Sequence, residues 1–279
     1  MNVSRLVLGT VQFGLNYGVA NTTGKPSFQT VKKILKCALD SGITTLDTAA
    51  AYGDSETVLG NALRELGITG KMTLISKIPP VPAECDPERF LENSLKQSLR
   101  NLRIEVLPLA LFHREQDLRH LPVLKRMIGK GWILGAGGSL DSSAGIPEAE
   151  KADCLQVPCN VMDHRFDQLI RSRRGGMFLR SVYLPGLLLM EESRIAPSLA
   201  PLIPYRRKLE SLGMPLKELC MRYLLTLPGS PSVLTGVDTP EQLRENLRLA
   251  APGALPEDLF RAAASAVPLL EETLIRPSL

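Results

Sequence analysis

Short apolar runs alternate with amphipathic stretches from one end of the 279-residue chain to the other, and that alternation limits the folds open to it. Eight runs read as strands, at residues 5–10, 44–48, 73–78, 107–112, 133–136, 154–157, 178–183 and 232–235. They are rich in Val, Ile and Leu and mostly lack period-two alternation, as strands buried on both faces do. Helical patterns lie between them. Residues 26–41 begin with proline in the first turn and stop before Gly42. Residues 86–102 start at a capping Asp86 followed by Pro87 and Glu88, and residues 239–250 open with Thr239, Pro240 and Glu241. Over 55–66, Val58, Leu59, Ala62, Leu63 and Leu66 form one helical stripe.

A strand and a helix repeated eight times predict a (β/α)8 TIM barrel, with residues 1–279 as a single domain. The length agrees, since such barrels run to ~250 residues. A doubly wound open sheet uses the same alternation, but its mark is G-x-G-x-x-G in the first strand-to-helix turn. Here the glycine-rich stretch from Gly135 to Leu140 comes midway along the chain and has Leu140 where the third glycine belongs. Residues 186–215, with Pro197, Pro201 and Pro204, predict a long loop with short helices after strand seven. Residues 256–275 predict a further helix interrupted at Pro268.

Composition removes several classes of function. With 44% hydrophobic and 22% charged residues the chain is not of the disordered type. A net charge of +4 is too small to imply a nucleic-acid or anionic-membrane partner. No apolar stretch approaches the roughly 20 residues of a membrane-spanning helix, and the first residues lack the apolar core of a signal peptide. The cysteines (Cys37, Cys85, Cys154, Cys159, Cys220) are odd in number and form no C-x-x-C pair, which argues against a disulfide framework and a zinc site. A cytoplasmic protein with reduced thiols and no metal site is expected, its oligomeric state left open. His120 and His164 read as surface or structural residues, and Arg173-Arg174 as a solvated helix end.

Functional side chains of a barrel come from the carboxyl ends of its strands. Those ends offer Asp47 after strand two, Tyr52 in the next loop, Lys77 at the end of strand three and His113 closing strand four. The set makes chemical sense. A phenol is a poor acid at neutral pH, and a close ammonium favours its phenolate. A carboxylate keeps that ammonium charged and placed, and an imidazole can hydrogen-bond a substrate oxygen.

The stretches LDTAAAYGDSETVLG at 46–60, SKI at 76–78 and LFHRE at 111–115 resemble the aldo-keto reductase signature. Further likeness lies in GTVQFG at 9–14, QVPCNVMDHRF at 156–166 and LTGVDTPEQLRENL at 234–247. The opening GTVQFGLNYGVANTTGKPS resembles bacterial members, some of them connected with surface-polysaccharide sugars. The resemblance implies reduction of an aldehyde or ketone, a sugar derivative included, with hydride from NADP(H), NAD(H) not being excluded. Tyr52 would act as general acid, Lys77 would ease its ionisation, Asp47 would pair with Lys77, and His113 would orient the substrate. Cofactor contacts would come from Thr10 and Val11 on the nicotinamide side, from Asp47, and from Gln156 on the carboxamide. Arg180, Ser181 and Leu184 would follow strand seven, with the Arg180 guanidinium stacked on the ring and its charge favouring the reduced, neutral form. Gly236, Val237, Asp238, Thr239, Gln242, Glu245 and Asn246 would hold the adenine side. Three departures from the family pattern stand out: Gly137 and Gly138 where Ser-Asn usually meets the carboxamide, Arg180 for an aromatic, and Gly236 and Gln242 where Lys and Arg hold the 2′-phosphate of NADP. The resemblance leaves two other readings open, a regulatory cofactor-binding module like potassium-channel β subunits and a sugar dehydrogenase working in the oxidation direction.

Overall fold

The computed structural model describes residues 2–17, 21, 24–173, 175–184 and 186–276. Eight parallel strands close into a barrel in sequence order: β1 (Leu6–Gly9), β2 (Thr45–Asp47), β3 (Thr73–Ile78), β4 (Leu107–Phe112), β5 (Ile133–Ser139), β6 (Cys154–Pro158), β7 (Gly176–Arg180) and β8 (Ser232–Gly236). Closure runs through β1 and β8, which pair from Leu6–Val233 to Gly9–Gly236. The expected (β/α)8 architecture is the observed one.

Around the barrel lie α1 (Val11–Gly14), α2 (Phe28–Asp40), α3 (Ser55–Leu66), α4 (Pro87–Leu102), α5 (Leu121–Gly129), α6 (Ile146–Ala149), α7 (Asp167–Ser172), α8 (Ile203–Glu210), α9 (Leu216–Thr226), α10 (Pro240–Ala250), α11 (Glu257–Ala266) and α12 (Glu272–Ile275). The caps explain several starts. Asp86 accepts from the Glu88 and Arg89 amides at the head of α4, and Thr239 accepts from Gln242 at the head of α10. Helix α2 begins two residues later than the proline suggested, because the Ser27 hydroxyl caps it by accepting from the Thr30 amide.

Two strands, β5 and β7, differ from the expectation by two or more residues at an end. Strand β5 runs on past Ala136 to Ser139, so Gly137 and Gly138 are strand residues. A Cβ at Gly137 would lie 1.9 Å from the Cys154 carbonyl oxygen, which only glycine avoids. Strand β7 starts at Gly176, paired with Cys154, and ends at Arg180 instead of running to residue 183. Its end is set by Ser181, whose φ of 65° leaves the extended region. After β7 comes a long excursion of short helical turns, as the prolines suggested. Of the Arg173-Arg174 pair, Arg173 donates to the Ala152 carbonyl (2.6 Å), while Arg174 lies outside the described residues.

The core has two parts. Val7, Ile75, Leu109, Leu111, Cys154 and Phe178 pack on one another as an inner cluster, and a larger apolar layer joins the strands to the helices. Successive strand residues alternate faces, so the residues two places beyond Ile75, Leu111, Cys154 and Phe178 share their side. Those residues are Lys77, His113, Gln156 and Arg180. The apolar plug therefore carries a polar layer at the carboxyl end.

Candidate active site

Asp47 ends β2 and Lys77 lies near the end of β3, and both are about 2% exposed. Lys77 Nζ donates to Asp47 Oδ1 at 2.5 Å and to the Thr48 carbonyl at 3.1 Å. Its third contact is the Tyr52 hydroxyl, at 3.4 Å, with the tyrosine ring centroid 5.0 Å away. Burial alone would pull the lysine pKa down, but the Asp47 carboxylate and the Tyr52 hydroxyl outweigh it, so the net shift is upward. Lys77 is thus a held cation. The other Asp47 oxygen accepts from Gln156 Nε2 at 2.8 Å, a contact that reaches from β6 to β2.

Tyr52 owes its position to tight packing of the loop after β2 on the first turn after β1. A Cβ at Gly14 would lie 1.8 Å from the Tyr52 carbonyl oxygen, so no larger residue fits there. A buried hydroxyl network fastens the same region. Thr10 Oγ1 donates to the Asp47 carbonyl (3.0 Å), and Ser55 Oγ donates to the Thr10 carbonyl (2.7 Å). Thr10, expected on the nicotinamide side, therefore spends its hydroxyl inside the protein.

His113 completes the group edge-on to Tyr52, with ring centroids 5.6 Å apart and planes at 87°. Burial first, then the Lys77 charge, push its pKa down to about 4. Its Nδ1 is buried and makes no hydrogen bond among the described residues. An NMR titration of the folded protein is expected to show His113 protonating near pH 4 and not near the ordinary value of ~6.5. The sign for stability follows. Between those values the unfolded chain binds the proton and the folded one does not, so stability falls as pH drops through that window. A His113 resonance titrating near 6.5 in the folded state would contradict this.

Arg180 at the end of β7 is tied to Asp141, in the loop after β5, and its Nη2 also donates to the Leu140 carbonyl (3.1 Å). That loop is itself clamped: Glu115 Oε2 accepts from the Asp141 and Ser142 amides at 2.7 and 2.8 Å. The charge expected to act on a nicotinamide is therefore already countered by a carboxylate. Ser181 and Leu184 both have positive φ, 65° and 43°, in the turn that follows. On the β8 side, Gly236 is exposed, Val237 and Asn246 are buried, and Glu245 pairs with Lys217 at 2.6 Å. Asp238 accepts from Asn21 (3.0 Å), its amide donates to Gln242 Oε1 (2.6 Å), and burial raises its pKa. Val11 is half-buried in the turn after β1.

Three residues of this region escaped sequence reading. Tyr17 lies where Tyr52, Arg180 and Asp141 act on its hydroxyl, whose pKa is raised first by burial. Asp141 follows a strand whose expected run stops at Ala136. Gln12 stands in the motif at 9–14, where no local signal sets it apart. Two features fit a nicotinamide dinucleotide at this rim. One is the cradle at Gly236, where a Cβ would crowd the Gln12 amide at 2.6 Å. The other is the pair of buried, unpartnered atoms His113 Nδ1 and Gln12 Oε1. Among the described residues no three His, Cys, Asp or Glu side chains gather as a metal-binding group, and no helix is long and apolar enough to cross a membrane.

A carboxylate–ammonium–phenol cluster thus gathers at the carboxyl end of a closed parallel barrel, the end at which barrel enzymes carry their active sites. The aldo/keto reductase family model matches residues 5–172. A 6-dehydroglucose reductase of Novosphingobium aromaticivorans is 34% identical over 100 residues, which cover 32% of this chain and 33% of that protein. A probable voltage-gated potassium channel subunit beta of Arabidopsis thaliana is 24% identical, covering 88% of each chain. Among solved structures, aldo-keto reductase AKR11C1 from Bacillus halodurans, in its holo form, superposes with a TM-score of 0.80 at 19% identity, over 97% of this chain and 94% of that one. Glycerol dehydrogenase AKR11B4 from Gluconobacter oxydans gives 0.75 at 20% identity, over 95% and 92%. The chain belongs to the aldo/keto reductase family, and it is an oxidoreductase.

Proposed function

We propose that this protein reduces a small aldehyde or ketone to the alcohol, with Tyr52 as the proton donor. The observation that carries the reading is the Lys77 ammonium held between the Asp47 carboxylate at 2.5 Å and the Tyr52 hydroxyl at 3.4 Å. Tyr52 gives its proton to the carbonyl oxygen as negative charge develops there, and Lys77 stabilises the phenolate that remains. Asp47 holds Lys77 in place. His113, neutral through the working range, hydrogen-bonds the same oxygen and orients the substrate. A nicotinamide cofactor, when bound, supplies the hydride. Val11, Gln156, Arg180, Ser181 and Leu184 are the residues proposed to hold its ring end, and Gly236 to Asn246 its adenine end. NADP(H) is the first cofactor to titrate. NAD(H) is tested beside it, because Asp238 stands in the segment where a cation would hold a 2′-phosphate and Arg244 is engaged by Glu241 at 2.9 Å. The substrate is a small carbonyl compound, and the sugar named for the Novosphingobium relative makes sugar aldehydes and ketones the first panel.

The likeness to a potassium-channel β subunit supports a second reading, a cofactor-binding regulatory module. Working against it is the complete acid–base cluster. Reduced-cofactor consumption by the isolated chain, dependent on an added carbonyl, is the expected result. Tight cofactor binding with no turnover on any aldehyde, ketone or polyol would favour the regulatory reading. Faster turnover of polyols with oxidised cofactor would assign the oxidation direction.

The Arg180–Asp141 pair gives its own expectation. Arg180→Ala should weaken oxidised and reduced cofactor alike, by several-fold, since a planar stacking contact is worth about 1 kcal/mol and its charge is already countered. In Asp141→Asn the uncountered guanidinium should favour the reduced, neutral ring over the oxidised, cationic one, and the two dissociation constants should diverge. Equal constants in Asp141→Asn would remove the electrostatic part of this account.

A further inference from the structure

Gln12 sits in the helical turn after β1 with 8% of its surface exposed. Its Oε1 is shut off from solvent and accepts no hydrogen bond among the described residues. A buried acceptor without a donor is costly to keep, and such atoms are normally explained by a water or a ligand. Its surroundings favour a ligand. The amide lies against Gly236 at the end of β8, 2.6 Å from where a side chain would begin, and Gly236 itself is exposed. Neighbouring groups at this mouth are already engaged: the Thr10 hydroxyl donates to the Asp47 carbonyl, and the Asp238 amide donates to Gln242. Gln12 keeps hydrogen-bonding capacity that they have spent.

We propose that Gln12 is a recognition residue whose Oε1 accepts a hydrogen bond from a donor group of the bound dinucleotide, a ribose hydroxyl or the carboxamide N–H. Phosphate oxygens cannot serve, because they are acceptors facing an acceptor. Glycine at 236 is then required so that the amide can lie at the mouth of the barrel. This inference rests on the nicotinamide reading above.

The test is direct titration of reduced cofactor into the wild-type chain and into Gln12→Leu and Gln12→Met, followed by cofactor fluorescence. A thermal melt of each chain without cofactor accompanies it. Both variants are expected to bind about tenfold more weakly, the order of one lost hydrogen bond to a buried acceptor. Their melting temperatures without cofactor should equal or exceed the wild type, since an unsatisfied buried acceptor has been removed. A structural glutamine would give the opposite melt. The acetylpyridine analogue, which carries a methyl ketone for the amide, separates the two donors. A penalty that persists with the analogue assigns the ribose hydroxyl, and a penalty that vanishes assigns the carboxamide; either supports the proposal. Unchanged affinity in both variants would overturn it, as would failure of both to fold. A wild-type chain that binds neither NADPH nor NADH would instead overturn the functional reading itself.

Discussion

Tyr52→Phe is expected to lower turnover by about 10²–10⁴-fold while leaving cofactor affinity within a few-fold of the wild type. The hydroxyl is 3.4 Å from Lys77 Nζ, and the His113 ring stands edge-on to the tyrosine ring, so phenylalanine removes one oxygen and keeps the packing. In the proposed reaction that oxygen carries the proton the substrate needs as its carbonyl becomes an alkoxide. Its loss should therefore fall on the transition state and not on ground-state binding. Steady-state kinetics give the rate, and titration of the reduced cofactor gives the affinity. Retention of more than about a tenth of the wild-type rate would remove Tyr52 from the role of general acid. Loss of cofactor binding along with turnover would make Tyr52 a binding residue, which the proposal does not.

Much of the fold is legible in the sequence. Strands β3 and β4 and helix α3 fall on the residues their apolar patterns mark, because each is a local signal confined to one element. Strand β7 departs from its pattern, since the expected run continues to Tyr183 while the strand ends at Arg180, before the positive φ of Ser181. Backbone conformation of that kind leaves no trace in an apolar run. The cluster of Asp47, Tyr52, Lys77 and His113 was legible for a different reason. Adjacent parallel strands bring their carboxyl ends together, so Asp47, Lys77 and His113 are found at the polar ends of apolar strands, and Tyr52 in the loop that follows β2. Contacts across the barrel were not legible. Gln156 meets Asp47 across 109 positions, and Arg180 meets Asp141 across 39. The first reaches across the barrel from β6 to β2, the second spans β6 between β5 and β7, and both depend on rotamers that no local pattern records. Gln156 was expected to face a carboxamide, and its Nε2 is engaged by Asp47. Gln12 shows the same limit, because burial without a partner is a property of the packed state.

Lys77→Met is expected to harm the protein twice, and the two effects separate in the test. Methionine fits the stem of the lysine but leaves Asp47, about 2% exposed, without its cation. The Gln156 amide alone then faces that carboxylate. Breaking a buried ion pair by removing one member typically costs about 3–5 kcal/mol, so the melting temperature should drop by roughly 10 °C. A second substitution in the same chain, Asp47→Leu, should recover most of that loss without recovering turnover. The kinetic effect has its own signature. With the ammonium gone, no cation stabilises the charge left on Tyr52 as it gives up its proton in the proposed step, so residual activity should fall. The pH dependence of stability carries a definite sign. Burial opposes the lysine charge, but Asp47 and Tyr52 together raise the folded-state pKa above the ordinary value of about 10.4. The ion pair therefore contributes its full stability below that value, and the contribution is lost as pH rises through the folded-state pKa. The stability gap between wild type and Lys77→Met should be flat through neutral pH and should narrow only above it. A variant as stable as the wild type, or one that keeps wild-type turnover, would mean that Lys77 does not serve Asp47 or Tyr52 in the way the 2.5 and 3.4 Å contacts indicate.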